Sequence, residues 1–356
     1  MPINPTNNTR AVDFSAEINL VPNTWGLFGS LGVFKVKNLS QRTAMITKKV
    51  ETDADLVDRN YNERASVQDR DDAQGILYRV PHFPIDDAIY PSDVSGQVDW
   101  ATIQAGTETL VEVSTLRAEK IAALKRKHSQ LWELVRAKAM MTGEIYAPRG
   151  TLKTSYGPTI NIYNEWGLTR QSFQVNTGVG YDPRDSFEPI IAYLQDNIKT
   201  GQIVDQFVFV ASPGLFQAIA GNAYVKEQFK YQPLSQASEV LVGRLVNKMG
   251  LDARYRAFNY GGVTIVEYRA LDSLGAPVIT ANQGIAFPVM EDLAQLAYAP
   301  AEKFSAVNKP ASASYLWERM GLDDDKLEMM SETNVAAVLL RPELVVNVTF
   351  SAAALP

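Results

Sequence analysis

Cysteine is absent from all 356 residues, and histidine occurs only twice, at His82 and His128. The first absence excludes disulfides, thiolate zinc sites, iron–sulfur clusters and cysteine nucleophiles. The second excludes a histidine-rich metal centre, and a Ser-His-Asp triad would have to use one of those two rings. No run of 18 apolar residues exists, so no membrane-spanning helix is expected. The opening MPINPTNNTR has neither a basic region nor an apolar stretch; a secretory signal is not expected, and a cytosol-like compartment is. Positive charge is not in excess: 34 Lys and Arg stand against 40 Asp and Glu, a net −6, which argues against gripping nucleic acid by bulk charge. Signatures of chemistry are missing too. There is no GxxxxGK[ST], HExxH or GxSxG, and Gly178-Val179-Gly180 lacks the third glycine and the preceding strand of a dinucleotide fingerprint. Asp323-Asp324-Asp325 lacks EF-hand spacing and reads as solvated surface. No catalytic, cofactor-binding or metal-ligating residue is therefore nominated.

What is present is an ordinary globular composition, 46% apolar and 21% charged, in an elongated arrangement. Residues 1–43 carry scattered Pro, Asn and Gly and read as an extended arm. Its apolar anchor is Trp25-Gly26-Leu27-Phe28, which favours an arm lying on a neighbouring subunit over a frayed terminus. Residues 44–80 predict a long hairpin, with β-prone arms at 44–50 and 75–80. Between them, 51–72 holds eight acids, Asp53, Asp55, Asp58, Asp69, Asp71 and Asp72 among them, with Arg59, Arg64 and Arg70. At about 3.3 Å per residue such a ribbon reaches roughly 55 Å, more than the ~50 Å diameter of a compact globule of this length. Two readings stand: a mobile loop, or a ribbon that projects and meets another chain.

The strongest helical signal spans 103–142. Leu110, Val113, Leu116, Ile121, Leu124, His128, Leu131 and Val135 recur mainly three or four apart, and neither Pro nor Gly interrupts 107–142 before Gly143 supplies a C-cap. That uninterrupted stretch would run roughly 55 Å, which implies an elongated domain. Its other face carries Arg117, Lys120, Lys125, Arg126, Lys127, Arg136 and Lys138, a solvated or subunit-facing stripe. His128 lies in the apolar stripe and reads as a packed core residue rather than a catalyst. Residues 151–166 predict a second hairpin about Tyr156-Gly157-Pro158. From 182 the pattern is α/β: a helix capped at Asp185 or Ser186, a buried strand at 207–210, a helix opened by Ser212-Pro213, a short helix at 223–230, and a hairpin about Asn259-Tyr260-Gly261-Gly262. Strands follow at 284–288, 293–299 and 335–350, where Pro342 bends one strand or separates two.

The segment Met141-Thr142-Gly143-Glu144-Ile145-Tyr146-Ala147-Pro148, the Tyr181-Asp182-Pro183 that opens the α/β part, and Glu328-Met329-Met330-Ser331-Glu332 followed by Val338-Leu339-Leu340-Arg341-Pro342-Glu343 resemble, in order, the lambda-type major capsid proteins of tailed bacteriophages, the capsid protein E family. The resemblance covers most of the chain. It implies an α+β fold of the Hong Kong 97 type. Its parts would be an N-arm at 1–43, an E-loop at 44–82, a first P-domain part at 83–149 with a spine helix at 103–142, an A-domain at 150–300 and a terminal P-domain sheet at 301–356. It implies a structural protein, not an enzyme, that self-assembles into hexamers and pentamers of an icosahedral virion shell enclosing double-stranded DNA. No cofactor is implied. Scaffold, portal and decoration proteins would be partners, no membrane would be involved, and assembly would occur in the host bacterial cytoplasm. The candidate inter-subunit contacts are then Trp25, Phe28, the six aspartates Asp53, Asp55, Asp58, Asp69, Asp71 and Asp72, the arginines Arg59, Arg64 and Arg70, and Arg117, Lys120, Lys125 and Arg126 on the helix. Lys48 and Lys49 lie near the hairpin, but no motif supports a covalent lysine crosslink. An encapsulin-like compartment and a soluble oligomeric enzyme with its site in 143–300 are the rival readings.

Overall fold

The computed structural model describes residues 11–22, 26–48, 74–94, 113–149, 155–156, 160–198, 202–230, 255–271, 275–321 and 325–351. Two six-stranded sheets organise them. The first is built on the 13-residue strand Leu327–Leu339, which pairs antiparallel with Tyr315–Met320, His82–Ile89 and Ala294–Tyr298. Val12–Asp13 extends it beside Tyr315–Met320, and Phe34–Asn38 runs parallel to Ala294–Tyr298. Successive side chains of a strand face opposite sides, and the long strand uses both. Leu327, Met329, Val335 and Ala337 pack beneath the helix Val113–Thr142, with Ile121, Leu124, Trp132, Val135 and Ala139. Ala336 and Val338 face the other way, onto Ile46, Tyr78 and Val80 of a hairpin formed by Thr43–Lys48 and Gln74–Arg79.

The long helix has 30 described residues, a rod of roughly 45 Å. It stops where the sequence predicts. Gly143 takes φ +71° and its N–H bonds the Ala139 carbonyl at 2.8 Å. A side chain there would be strained by its left-handed backbone and blocked by space, because a Cβ would sit 2.5 Å from the Tyr163 ring. The predicted stretch 103–112 lies outside the described residues.

The second sheet has the order Ala257–Tyr260, Val263–Glu267, Gln206–Ala211, Gln283–Val289, Val346–Ser351, Ser172–Asn176. Val263–Glu267 is parallel to Gln206–Ala211, and Val346–Ser351 is parallel to Ser172–Asn176. Both faces are covered, which is why 207–211 reads as an unbroken apolar run. Phe209 and Ala211 pack with Phe187, Ile190 and Leu194 of the helix Pro183–Asn197 and with Leu215, Phe216 and Ile219 of the helix Pro213–Gly221. Val208 and Val210 face the junction with the first sheet, among Phe28, Phe287 and Leu344. The predicted hairpin closes through Gly261 and Gly262 at φ +59° and +79°. Positive values at both central residues match the strand twist.

Four expectations are corrected. Residues 301–356 do not form one sheet: 315–339 belongs to the first, but Val346–Ser351 joins the second. Pro342, lacking an N–H to continue a ladder, opens a 3₁₀ turn Pro342–Leu344 that redirects the chain. Conversely Ala294–Tyr298, within the expected 150–300 unit, pairs in the first sheet. The helix expected to start at Asp185 or Ser186 starts at Pro183, because Asp182 caps it by accepting the Arg184 N–H at 2.9 Å. The second arm of the 151–166 hairpin is instead a short helix, Ile162–Glu165, where the Asn161 side chain accepts the Tyr163 N–H. Among the described residues, Pro148–Arg149 pairs with Ser155–Tyr156, and Glu144 bridges Asn161.

Candidate functional site

The long helix is tied to its surroundings by polar groups, and most of the cations read as a surface stripe are the ties. Arg117 donates through Nε to both oxygens of Glu318, at 2.9 and 2.8 Å, and through its two Nη to Glu17, at 2.9 and 2.6 Å. Its guanidinium also lies 4.7 Å from the Phe14 ring centroid. One side chain thus joins the helix, the strand Tyr315–Met320 and the N-terminal helix Ser15–Leu20, a bidentate arrangement that lysine could not reproduce. The hydrogen bonds from Arg117 hold the Glu17 carboxyl below its usual range. Lys120 donates to Asp87 at 2.9 Å. Lys125 is 2% exposed, its ammonium 4.8 Å from the Trp132 ring centroid and 3.5 Å from the Asn19 side-chain oxygen. Burial lowers its pKa to about 8.

His128 is fully buried. Nδ1 lies 3.0 Å from the Ser314 hydroxyl and Nε2 3.4 Å from that of Ser331. Ser331 donates its only hydroxyl proton to the Tyr315 carbonyl. It therefore accepts from Nε2–H, while Nδ1 accepts from Ser314, which fixes the tautomer. Burial, aided by the Lys125 charge, lowers the His128 pKa to about 4. The ring is a neutral core element, as its place in the apolar stripe predicts. Beside it the Trp132 indole N–H donates to Thr333 at 3.0 Å.

Glu133 anchors the N-terminal segment. Its carboxylate accepts the Phe28 N–H at 2.9 Å and the Gly29 N–H at 3.2 Å, at the start of the short helix Leu27–Ser30. The approach requires Gly26, since a Cβ there would lie 2.1 Å from the Glu133 carboxyl carbon. Burial pushes the Glu133 carboxyl up, opposed by those two N–H groups and Arg136.

These contacts revise the nominated interface. Phe28 is 0% exposed, packed edge-on against Tyr268 with centroids 5.4 Å apart. It is a core residue of its own subunit and is closed to a neighbour; the Trp-Gly-Leu-Phe signal marks where the arm enters the core. Lys125 is likewise closed, and Arg117 and Lys120 are engaged within the chain. Arg126 is exposed. Trp25, Asp53, Asp55, Asp58, Arg59, Arg64, Asp69, Arg70, Asp71 and Asp72 lie outside the described residues. Glu17, Glu318 and Glu133, which complete the ties, were missed; no local spacing links residues 17, 117 and 318.

Among the described residues no group of three or more His, Cys, Asp or Glu side chains could hold a metal ion, and no helix is long and apolar enough to cross a membrane. What the polar groups do is brace a rod against a long sheet. An N-terminal segment, the hairpin arms Thr43–Lys48 and Gln74–Arg79 and a second, mixed sheet are attached to that frame. This is the architecture of a Hong Kong 97-type shell subunit. A crystal structure assigned as the capsid protein of an Escherichia coli CFT073 prophage superposes over 96% of this chain and 100% of that one, with a TM-score of 0.58 at 12% identity. The family description "Phage major capsid protein E" matches residues 10–350. The major capsid protein of Pseudomonas phage KPP10 is 31% identical over 352 residues, 96% of this chain and 97% of that protein. That of Salmonella phage Felix O1 is 22% identical, over 94% and 95%. The chain belongs to the phage major capsid protein E family, and its role is structural: it is a building block of the virion shell.

Proposed function

We propose that copies of this chain assemble, in the host bacterial cytoplasm, into hexamers and pentamers that close an icosahedral head around double-stranded DNA, with scaffold, portal and decoration proteins as partners. The match to the family across 10–350 carries this reading. In it, 1–43 is the N-arm, 44–82 the E-loop, and the helix within 103–142 the spine. The first sheet corresponds to the P-domain and the mixed sheet to the A-domain. The net charge of −6 suits a container that must not trap its contents, because a strongly basic lining would bind DNA through counterion release.

The acids of 51–72 are proposed to set register against exposed cations of an adjacent subunit, with Arg126 as the helix candidate that is free to meet them. Electron microscopy of the purified chain tests the assembly: closed shells or capsomers are expected, and uniform small particles would refute it. Reversing Asp53, Asp71 and Asp72 to lysine is expected to block closure while the subunit stays folded by circular dichroism. Normal shells from that variant would refute the charge register alone.

A further inference from the structure

We propose that Arg170 and Tyr163 form a clasp that fixes the angle between the two sheets and so sets the curvature at which copies close; this rests on the shell reading above. Three chain segments cross from one sheet to the other. The first runs from the end of the long helix at Thr142 to the strand Ser172–Asn176, the second from Val289 to Ala294, and the third from Leu339 to Val346. The second and third are joined by backbone, since the N–H groups of Leu340 and Arg341 both reach the Leu293 carbonyl, at 3.0 and 3.2 Å. Arg170 and Tyr163 belong to the first crossing and bind the third.

The Arg170 guanidinium spends its donors on three carbonyls in two elements. Nη2 donates to Met140 at 3.0 Å and Nη1 to Met141, at the C-terminus of the long helix. Nε donates to Val345 at 3.1 Å, immediately before the strand Val346–Ser351. The tie is matched to its place, since the last carbonyls of a helix lack partners and carry partial negative charge. Tyr163 works from the other side. Its ring lies over the Gly143 cap and 5.6 Å from the guanidinium, and its hydroxyl donates to Pro342 at 3.0 Å and reaches Val345 at 3.3 Å. The helix end, the turn that redirects the chain, and Val345, which leads into the last strand, are thereby held in one geometry. The long helix is braced on the first sheet through Arg117, Lys120 and Trp132, which bond Glu318, Asp87 and Thr333, so rotation of the second sheet against that unit has to break the clasp's bonds. In a shell the angle between two rigid parts of a subunit is multiplied over every copy.

Arg170 and Tyr163 are thus positioning residues, and the readout that separates this from ordinary structural support is particle geometry. Arg170→Lys keeps the charge but cannot hold three carbonyls in a planar fork; Tyr163→Phe removes only the hydroxyl. Both full-length variants are expected to stay soluble and folded by circular dichroism yet lose the single diameter class of wild-type shells in electron micrographs, giving mixed sizes, tubes or open sheets. Ile219→Val, which trims the second sheet's core away from the clasp, is expected to lower the melting temperature and leave the diameter uniform. Wild-type diameters in both clasp variants, or equal broadening by Ile219→Val, overturn the proposal. If Arg170→Lys is insoluble, Tyr163→Phe decides by the same criterion. A wild-type chain that forms no shells removes the shell reading and the clasp together, whereas shells unchanged by the variants remove the clasp alone.

Discussion

Acid should destabilise this subunit through one imidazole. His128 has an ordinary pKa of 6.5 when unfolded and about 4 when folded. It is buried between two serine hydroxyls and faces the Lys125 ammonium, which stays charged throughout the acid range. The folded value is the lower, so the unfolded chain binds a proton that the native chain refuses. The contribution is complete above pH 6.5. It is lost as pH falls toward 4, at about 1.4 kcal/mol per pH unit, for a total of roughly 3 kcal/mol. Other groups titrate nearby. Glu133, pushed up by burial, acts in the opposite sense, because its protonated form is favoured in the folded state. Glu17 and Asp87, held low by Arg117 and Lys120, lose their contributions only as pH falls through still lower values. The assay is therefore a difference: urea unfolding free energies at intervals from pH 7 to pH 4, for wild type and for His128→Asn. Asparagine removes the titration and can still bond one serine. The gap between the two curves should change by about 3 kcal/mol across the interval. Parallel curves would refute the reasoning, since they would mean that the imidazole is hydrated or accepts its proton inside the fold.

Lys125 predicts an effect of the same sign at the alkaline side. Its folded pKa of about 8 lies below the ordinary 10.5, so wild-type stability should rise between those values, and Lys125→Met should abolish the rise and be more stable at pH 7 by about 1–3 kcal/mol in denaturant titrations. Arg117→Ala strands the Glu318 carboxylate, 4% exposed at its side chain, and should cost about 3 kcal/mol. Limited proteolysis near 15–20 should accelerate in that variant as the N-terminal helix is released. Gly143→Ala forces a Cβ into the left-handed region and against Tyr163; a loss of at least ~1–2 kcal/mol is expected by thermal or chemical unfolding.

The reach of the sequence differs sharply between elements. The long helix is legible because its burial follows its own period, with Ile121, Leu124, His128, Trp132, Val135 and Ala139 on one face and a glycine stop at 143. The strand Gln206–Ala211 and the Gly261-Gly262 hairpin are legible for the same local reasons. The stripe of cations on the helix was not. Arg117 and Lys125 have a helical spacing that fits a solvated face, and nothing within a few residues announces Glu318, Glu17 or Trp132 as their partners. Burial of a charge is decided by what the rest of the chain places beside it.

Local order therefore determined the parts of this protein: the rod, the hairpin about Gly261-Gly262, the stops, and, through motifs such as Met141-Thr142-Gly143-Glu144, the kind of protein it is. Only the tertiary structure decided how those parts are joined. It sent Phe28 inward instead of toward a neighbour, moved Val346–Ser351 into the second sheet, and gathered Arg170, Tyr163, Met140 and Val345 at one junction. The physical reason is range. Periodicity, caps and turns act over three to five residues, whereas strand partners and buried polar ties link positions more than a hundred apart, such as Arg117 and Glu318, and those pairings exist only once the chain has closed on itself.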